Sequence, residues 1–158
     1  MLARLVIWLN RIYLILAGGV LLGLMLLASA NMLLRFFGQP LQGTYELLGF
    51  GGAFVAAAAL GSTQLKKGHI QVDILPVLPG VAGKVFQFLG RSACIVFFAL
   101  LAWRLFQLAG RLAANGELSE TLRLAYYPMV YAVALGFVLL VLVLLLQLIQ
   151  DLSRGQKA

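Results

Sequence analysis

Leu139-Leu140-Val141-Leu142-Val143-Leu144-Leu145-Leu146 contains no polar side chain, and its lack of alternation decides the fold. A transmembrane β-strand alternates lipid-facing and interior-facing side chains over roughly ten residues, so it is not apolar at every position. A spanning helix can be, because its backbone hydrogen bonds are all internal to the segment. The run extends outward from Tyr126 to Leu148, and three more lie upstream at Ile12 to Leu34, Tyr45 to Leu65 and Val85 to Leu108. Each reaches the roughly 20 residues, at about 1.5 Å rise per residue, that a hydrocarbon core demands. Hydrophobic residues make up 63% of the chain and charged residues 11%, against about 45–50% apolar content in soluble domains. The expectation is an all-α membrane protein, a single membrane domain over 1–158 with four transmembrane helices.

The net charge of +7, from 12 basic and 5 acidic residues, does not indicate nucleic acid, since the cations are dispersed among span ends rather than gathered on a polar face. They read as topology signals. With the N-terminus inside, Arg4, Arg11, Lys66, Lys67, Lys84, Arg154 and Lys157 fall on the cytoplasmic side, and Arg35, Arg104, Arg111 and Arg123 on the outer side. The excess of basic residues places both termini in the cytoplasm.

Cys94 is the single cysteine, so disulfides and thiolate metal sites within the chain are excluded, and a packing role is expected. Ala28-Ser29-Ala30 resembles a signal-cleavage pattern, but the apolar run before it exceeds a typical signal core and Asn31 to Leu34 continues the helix, so an uncleaved first span is expected. The connections are short, which favours one bundle in which sequence neighbours are neighbours in space. Phe37 to Thr44 is a tight turn with Gly38 and Pro40, and Thr44 is a candidate N-cap. Leu105, Leu108 and Leu112 suggest a third helix that projects beyond the hydrocarbon, with Gly116 turning the chain and Pro128 opening the fourth span. The connection from Lys66 to Gly80 is amphipathic. Asp73 as cap and Pro76 in the first turn predict a short interfacial helix over about 70–80, with Ile70, Ile74, Leu75 and Leu78 toward lipid.

Polar groups are scarce inside the runs. Gly49, Ala53, Ala57 and Gly61 repeat every four residues in the second span, a stripe that lets another helix approach closely. Glu46 falls near the same face. Two readings stand: a subunit interface with a carboxylate at its outer end, or a stripe packed by the chain's own helices with Glu46 in water. Arg35 shares a helical face with Asn31, and either snorkels or pairs with Glu46 or a partner's carboxylate. Arg91 lies deeper, within snorkelling reach of headgroups. His69 is the only histidine, so bis-imidazole haem and His-cluster metal sites are excluded; Asp73, four residues on, is its candidate hydrogen-bond partner. No cofactor is expected. An autonomous ion-coupled transporter needs broken helices and polar groups at mid-membrane, and an enzyme needs a nucleophile and base. The runs offer neither, which points to a helper subunit.

Asn31-Met32-Leu33-Leu34-Arg35-Phe36-Phe37, Gln39-Pro40-Leu41, Glu46-Leu47-Leu48, and Gly61 leading to Gly68-His69-Ile70-Gln71-Val72-Asp73 resemble, in order and spacing, the small membrane subunit (DctQ type) of tripartite ATP-independent periplasmic (TRAP) transporters. The resemblance implies four spans with an interfacial arm between the second and third, in a bacterial inner membrane. It implies a large permease subunit that binds substrate and sodium and moves as an elevator, and a periplasmic solute-binding protein. The small subunit would serve as scaffold and contribute to docking, in symport of an organic acid. Arg35, Glu46, His69 and Asp73 match the family pattern and carry over an interface or structural role; Gln42-Gly43-Thr44-Tyr45 departs from it by lacking a tryptophan and a further acidic residue.

Two other classes remain for comparison. A glutathione-using four-helix membrane transferase has similar length, but Arg91 and His69 form no motif of that kind. A stand-alone homo-oligomeric channel requires a polar helical stripe, which is absent from the runs.

Overall fold

The computed structural model describes residues 2–66 and 81–155. Four helices fill them: α1 (Leu2–Phe36), α2 (Thr44–Leu65), α3 (Val81–Asn115) and α4 (Tyr127–Gly155). All four are long and apolar enough to cross a membrane. The expected interfacial helix over 70–80, with His69 and Asp73, lies outside the described residues.

α1, α3 and α4 are all longer than a hydrocarbon core is thick, α4 with 29 residues and the other two with more. α1 and α3 have 35 residues each, about 52 Å at 1.5 Å per residue against a hydrocarbon core of about 30 Å. α3 runs on to Asn115 as the leucines beyond its apolar core foretold. Both α1 and α3 end in the same way at one pole of the molecule, here the turn-bearing end. Gly38 and Gly116 adopt positive φ (76° and 64°). The amides of Gln39 and Glu117 reach back to the carbonyls of Leu34 and Leu112 at 2.9 and 3.2 Å. This is the Schellman arrangement, in which glycine takes the left-handed residue without a Cβ clash.

The order in space is α1, α2, α4, α3. α1 packs on α2, α2 on α4 and α4 on α3, with a lighter contact between α1 and α4; among the described residues α3 approaches α4 alone. The expectation that sequence neighbours are spatial neighbours therefore holds for two pairs and fails for α2 and α3, because α4 is inserted between them. The reason is backbone access. A Cβ added at Gly136 of α4 would sit 2.9 Å from the carbonyl carbon and Cβ of Ala57, so the two backbones touch where both residues are small. In α3, by contrast, a Cβ added at Gly90 would meet nothing within 4 Å among the described residues. The core follows this seam: Ala57, Ala58, Ala134, Leu140, Val143 and Leu144 are buried.

Polar and aromatic side chains lock the neighbours. Tyr13 of α1 lies edge-on to Phe54 of α2, with centroids 5.1 Å apart, and its hydroxyl donates to the carbonyl of Ala132 in α4. Asn10, buried, donates to the carbonyl of Val6 at 3.1 Å and lies over Gly61, where any Cβ would collide with its amide oxygen. Across the α3–α4 contact, Phe98 stacks on Phe137 at 6.1 Å and Phe106 meets Tyr131 at 5.7 Å. Cys94 is exposed on α3, contrary to the packing role expected of it.

Candidate interface at the turn-bearing end

Three chain segments meet around the first turn of α2. Gly43, at φ 77°, precedes the helix as its N-cap, and no side chain caps it. Thr44 is thus the first helical residue and not the expected cap; its hydroxyl donates inward to the carbonyl of Leu41 at 2.9 Å, and the residue is buried. Asn31 of α1 accepts the Leu41 amide at 2.8 Å, tying the end of α1 to the same turn.

Over this turn folds the 117–126 loop. Leu118 and Ala125 form an isolated antiparallel bridge, the Ser119 amide donates to the Leu124 carbonyl at 2.8 Å, and Arg123 takes a positive φ of 51°. Glu46 holds the loop down. Its carboxylate accepts from the Ser119 hydroxyl at 2.5 Å, the Thr121 amide at 2.8 Å and the Leu122 amide at 3.2 Å. A carboxylate is suited to this because it is acceptor-only and has lone pairs for several donors. Its place in the first turn also favours the helix dipole. Leu122 then covers Gly43, where a Cβ would meet its side chain at 2.6 Å and closer. Phe50 and Tyr126 complete the junction edge to face at 5.2 Å. Glu46 therefore meets partners in its own chain, and Arg35 is not among them. Arg35 is exposed in the last turn of α1, where a cation suits the helix C-terminus, and forms no ion pair among the described residues.

The small-residue stripe of α2 divides in two. Gly49 and Ala53 are exposed, whereas Ala57 and Gly61 are buried. Each step of four residues advances the helix by more than one turn, a drift of about 40° per step, so the stripe winds from an open face to a packed one. Ala57 meets Gly136 of α4 and Gly61 meets Asn10 of α1. A Cβ added at Gly49 or Gly52 would meet nothing within 4 Å among the described residues; Gly52 and Ala56 are exposed as well. The half of α2 nearest the turns thus presents a narrow strip of small residues that the described residues leave open.

Several groups here were invisible to sequence reasoning. Ser119 is buried and singled out by no motif; only its place in a loop facing an acidic first turn hints at its role. Gln64 and Gln147, at the opposite end of α2 and α4, form a reciprocal pair: Gln64 Nε2 donates to Gln147 Oε1 at 2.7 Å, and Gln147 Nε2 to the Gln64 carbonyl at 2.9 Å. Two amides at matching depths in two apolar helices were the available signal. Among the described residues no three His, Cys, Asp or Glu side chains gather as a metal site, and the polar groups at both ends bond to one another in ways that build structure.

No curated protein and no solved structure matches the chain. The family of tripartite ATP-independent periplasmic transporters, DctQ component, matches residues 24–154, from the middle of α1 through α4. That match covers far more than half of the sequence, and together with four helices able to span a membrane it identifies the chain as a member of the DctQ family, a non-catalytic, multi-pass permease component of a TRAP transporter in the inner membrane.

Proposed function

We propose that this chain is the scaffold of a sodium-coupled TRAP importer of an organic acid, bound along its membrane face to the large elevator subunit and helping to dock the periplasmic solute-binding protein. The observation that carries the reading is the open strip of Gly49, Gly52, Ala53 and Ala56 on α2. Small residues without neighbours permit a foreign helix to approach closely, and the spans carry no polar pathway of their own. In this reading the Glu46-anchored loop is the rigid rim offered to the solute-binding protein. Arg35, exposed at the same end, is a candidate contact for a partner carboxylate. Phe36, Phe37 and Tyr45, all exposed, suit a membrane-interface belt around that rim. His69 and Asp73 retain the structural role that the family pattern implies. The distribution of basic residues supports a turn-bearing end outside and both termini in the cytoplasm.

The test is co-purification and uptake. Tagged chain is expected to bring down a much larger membrane subunit, and deletion of this chain to abolish uptake while the large subunit stays folded in the membrane. Uptake that persists without the chain contradicts the scaffold role. Reporter fusions at each terminus check the orientation separately.

A further inference from the structure

Arg104 and Arg111 stand seven residues apart on α3, which places them on one face about 10 Å apart along the axis. Both are exposed, and neither is paired with a carboxylate among the described residues. Their face is otherwise apolar: Phe97, Leu100 and Leu108 are 61%, 51% and 45% exposed, while Ala102 and Ala109 bury the other side of α3, where α4 packs. Of the carboxylates at this end, Glu46 is engaged by the loop and Glu117 by the Asn115 amide at 3.1 Å, and Glu120, exposed on the 117–126 loop, forms no ion pair with either arginine among the described residues.

A guanidinium keeps its charge in any protein environment, so Arg104, within an apolar span, must reach an anion or water. Its stem escapes the hydrocarbon by turning toward the C-terminal end of α3. Arg111 can reach back toward Arg104, because helical Cα–Cβ bonds tilt toward the N-terminus and the side chain is long. Both side chains are long enough for their forks to reach the level of Leu108 between them, and Trp103, next to Arg104 in sequence, is exposed. Two cations above an uncovered apolar strip match one molecule with an anionic head and long acyl chains. We infer that Arg104 and Arg111 together hold the phosphate of an anionic phospholipid in the leaflet at the turn-bearing end, with its chains along Phe97 and Leu100. The guanidinium fork suits a phosphate because it donates two parallel hydrogen bonds.

Native mass spectrometry of the chain, purified from bilayers containing phosphatidylglycerol and phosphatidylcholine, reads this site directly. Wild-type protein is expected to retain phosphatidylglycerol about tenfold more than R104Q/R111Q does. R35Q, which removes an exposed arginine at the same end of α1, should match wild type. Equal retention by wild type and the double variant overturns the site. A photo-crosslinking benzophenone residue in place of Leu108, activated in native membranes with all partners present, gives a second reading without removing either arginine. A phospholipid adduct supports the inference, and a protein adduct in its place assigns the strip to an acidic protein partner and overturns it.

Discussion

The inner pair α2 and α4 and the edge pair α1 and α3 are built from similar residues and differ in what they touch. In the most apolar window of each helix, 22% of α2 and 28% of α4 is buried, against 6% of α1 and 11% of α3. Hydrophobicity does not explain the difference, since the α1 window (mean hydropathy 2.3) is more apolar than that of α2 (1.3). In lipid, apolar surface gains little by leaving one hydrocarbon environment for another, so backbone proximity and polar contacts decide which helices associate. α2 and α4 have both, at Ala57–Gly136 and at Gln64–Gln147. The edge helices keep their apolar surface for lipid or another subunit.

The most severe way to break this contrast is Gly136→Leu. The space a Cβ would need is already filled by the Ala57 backbone, which cannot swing aside as a side chain does, so the substitution should cost about 3 kcal/mol or more. Loss of monodisperse protein in detergent, with residual chain unfolding at much lower denaturant, is the expected reading. A wild-type transition would mean that the inner seam is looser than its geometry.

Within α2 itself the comparison sharpens to two residues four apart. Ala57→Leu, on the packed half of the stripe, should destabilise the isolated chain by about 1–3 kcal/mol. Ala53→Leu, on the open half, should leave the isolated chain within about 0.5 kcal/mol of wild type yet reduce the yield of large subunit in co-purification. Denaturant unfolding of the chain alone, set beside pull-down yield, separates the two. If Ala53→Leu leaves both unchanged, the open strip faces lipid.

Glu46→Ala tests the turn-bearing end at smaller scale. The Ser119, Thr121 and Leu122 donors lose their common acceptor, while the helices beneath keep their contacts. Hydrogen exchange at the Thr121 and Leu122 amides is expected to quicken on the order of tenfold, with global stability little changed. An unchanged exchange rate would show that the backbone bonds of Ser119 and Leu124 suffice to hold the loop. The parallel variant Arg35→Ala, which breaks no hydrogen bond or ion pair among the described residues, should leave exchange at wild-type rates and lower the yield of complex only if that arginine meets a partner.

What could be read in advance follows from the range of each interaction. Helix number and type rest on local composition, and Leu139 to Leu146 alone excludes a β-barrel. Glu46 and the small-residue stripe stood out for the same reason, as rare residue types in apolar surroundings. Their partners did not. That Glu46 meets Ser119 depends on α4 lying beside α2, which brings the 117–126 loop over the α2 N-terminus, and no local pattern carries that order. In sequence Gly136 is one glycine in an apolar run, and only its depth relative to Ala57 gives it a role. The division of the stripe was implicit in the spacing, since a strict four-residue repeat must drift around a helix.

The subtlest prediction concerns the clasp at the end opposite the turns. Gln147→Leu removes both of its bonds and leaves the Gln64 side chain without its acceptor; Gln64→Leu removes one bond and leaves the backbone carbonyl to accept the other. Interhelical hydrogen bonds in membranes average only about 0.6 kcal/mol, because an unfolded chain in lipid also finds partners for its polar groups. A double-mutant cycle in a reversible unfolding assay should therefore give a coupling of about 0.5–1.5 kcal/mol, well below the cost of Gly136→Leu. The ratio is informative in itself. A coupling near zero would leave close backbone packing as the sole force holding α2 to α4, whereas one rivalling the glycine substitution would mean that the polar end, and not the Ala57–Gly136 contact, chose α4 over α3 as the neighbour of α2.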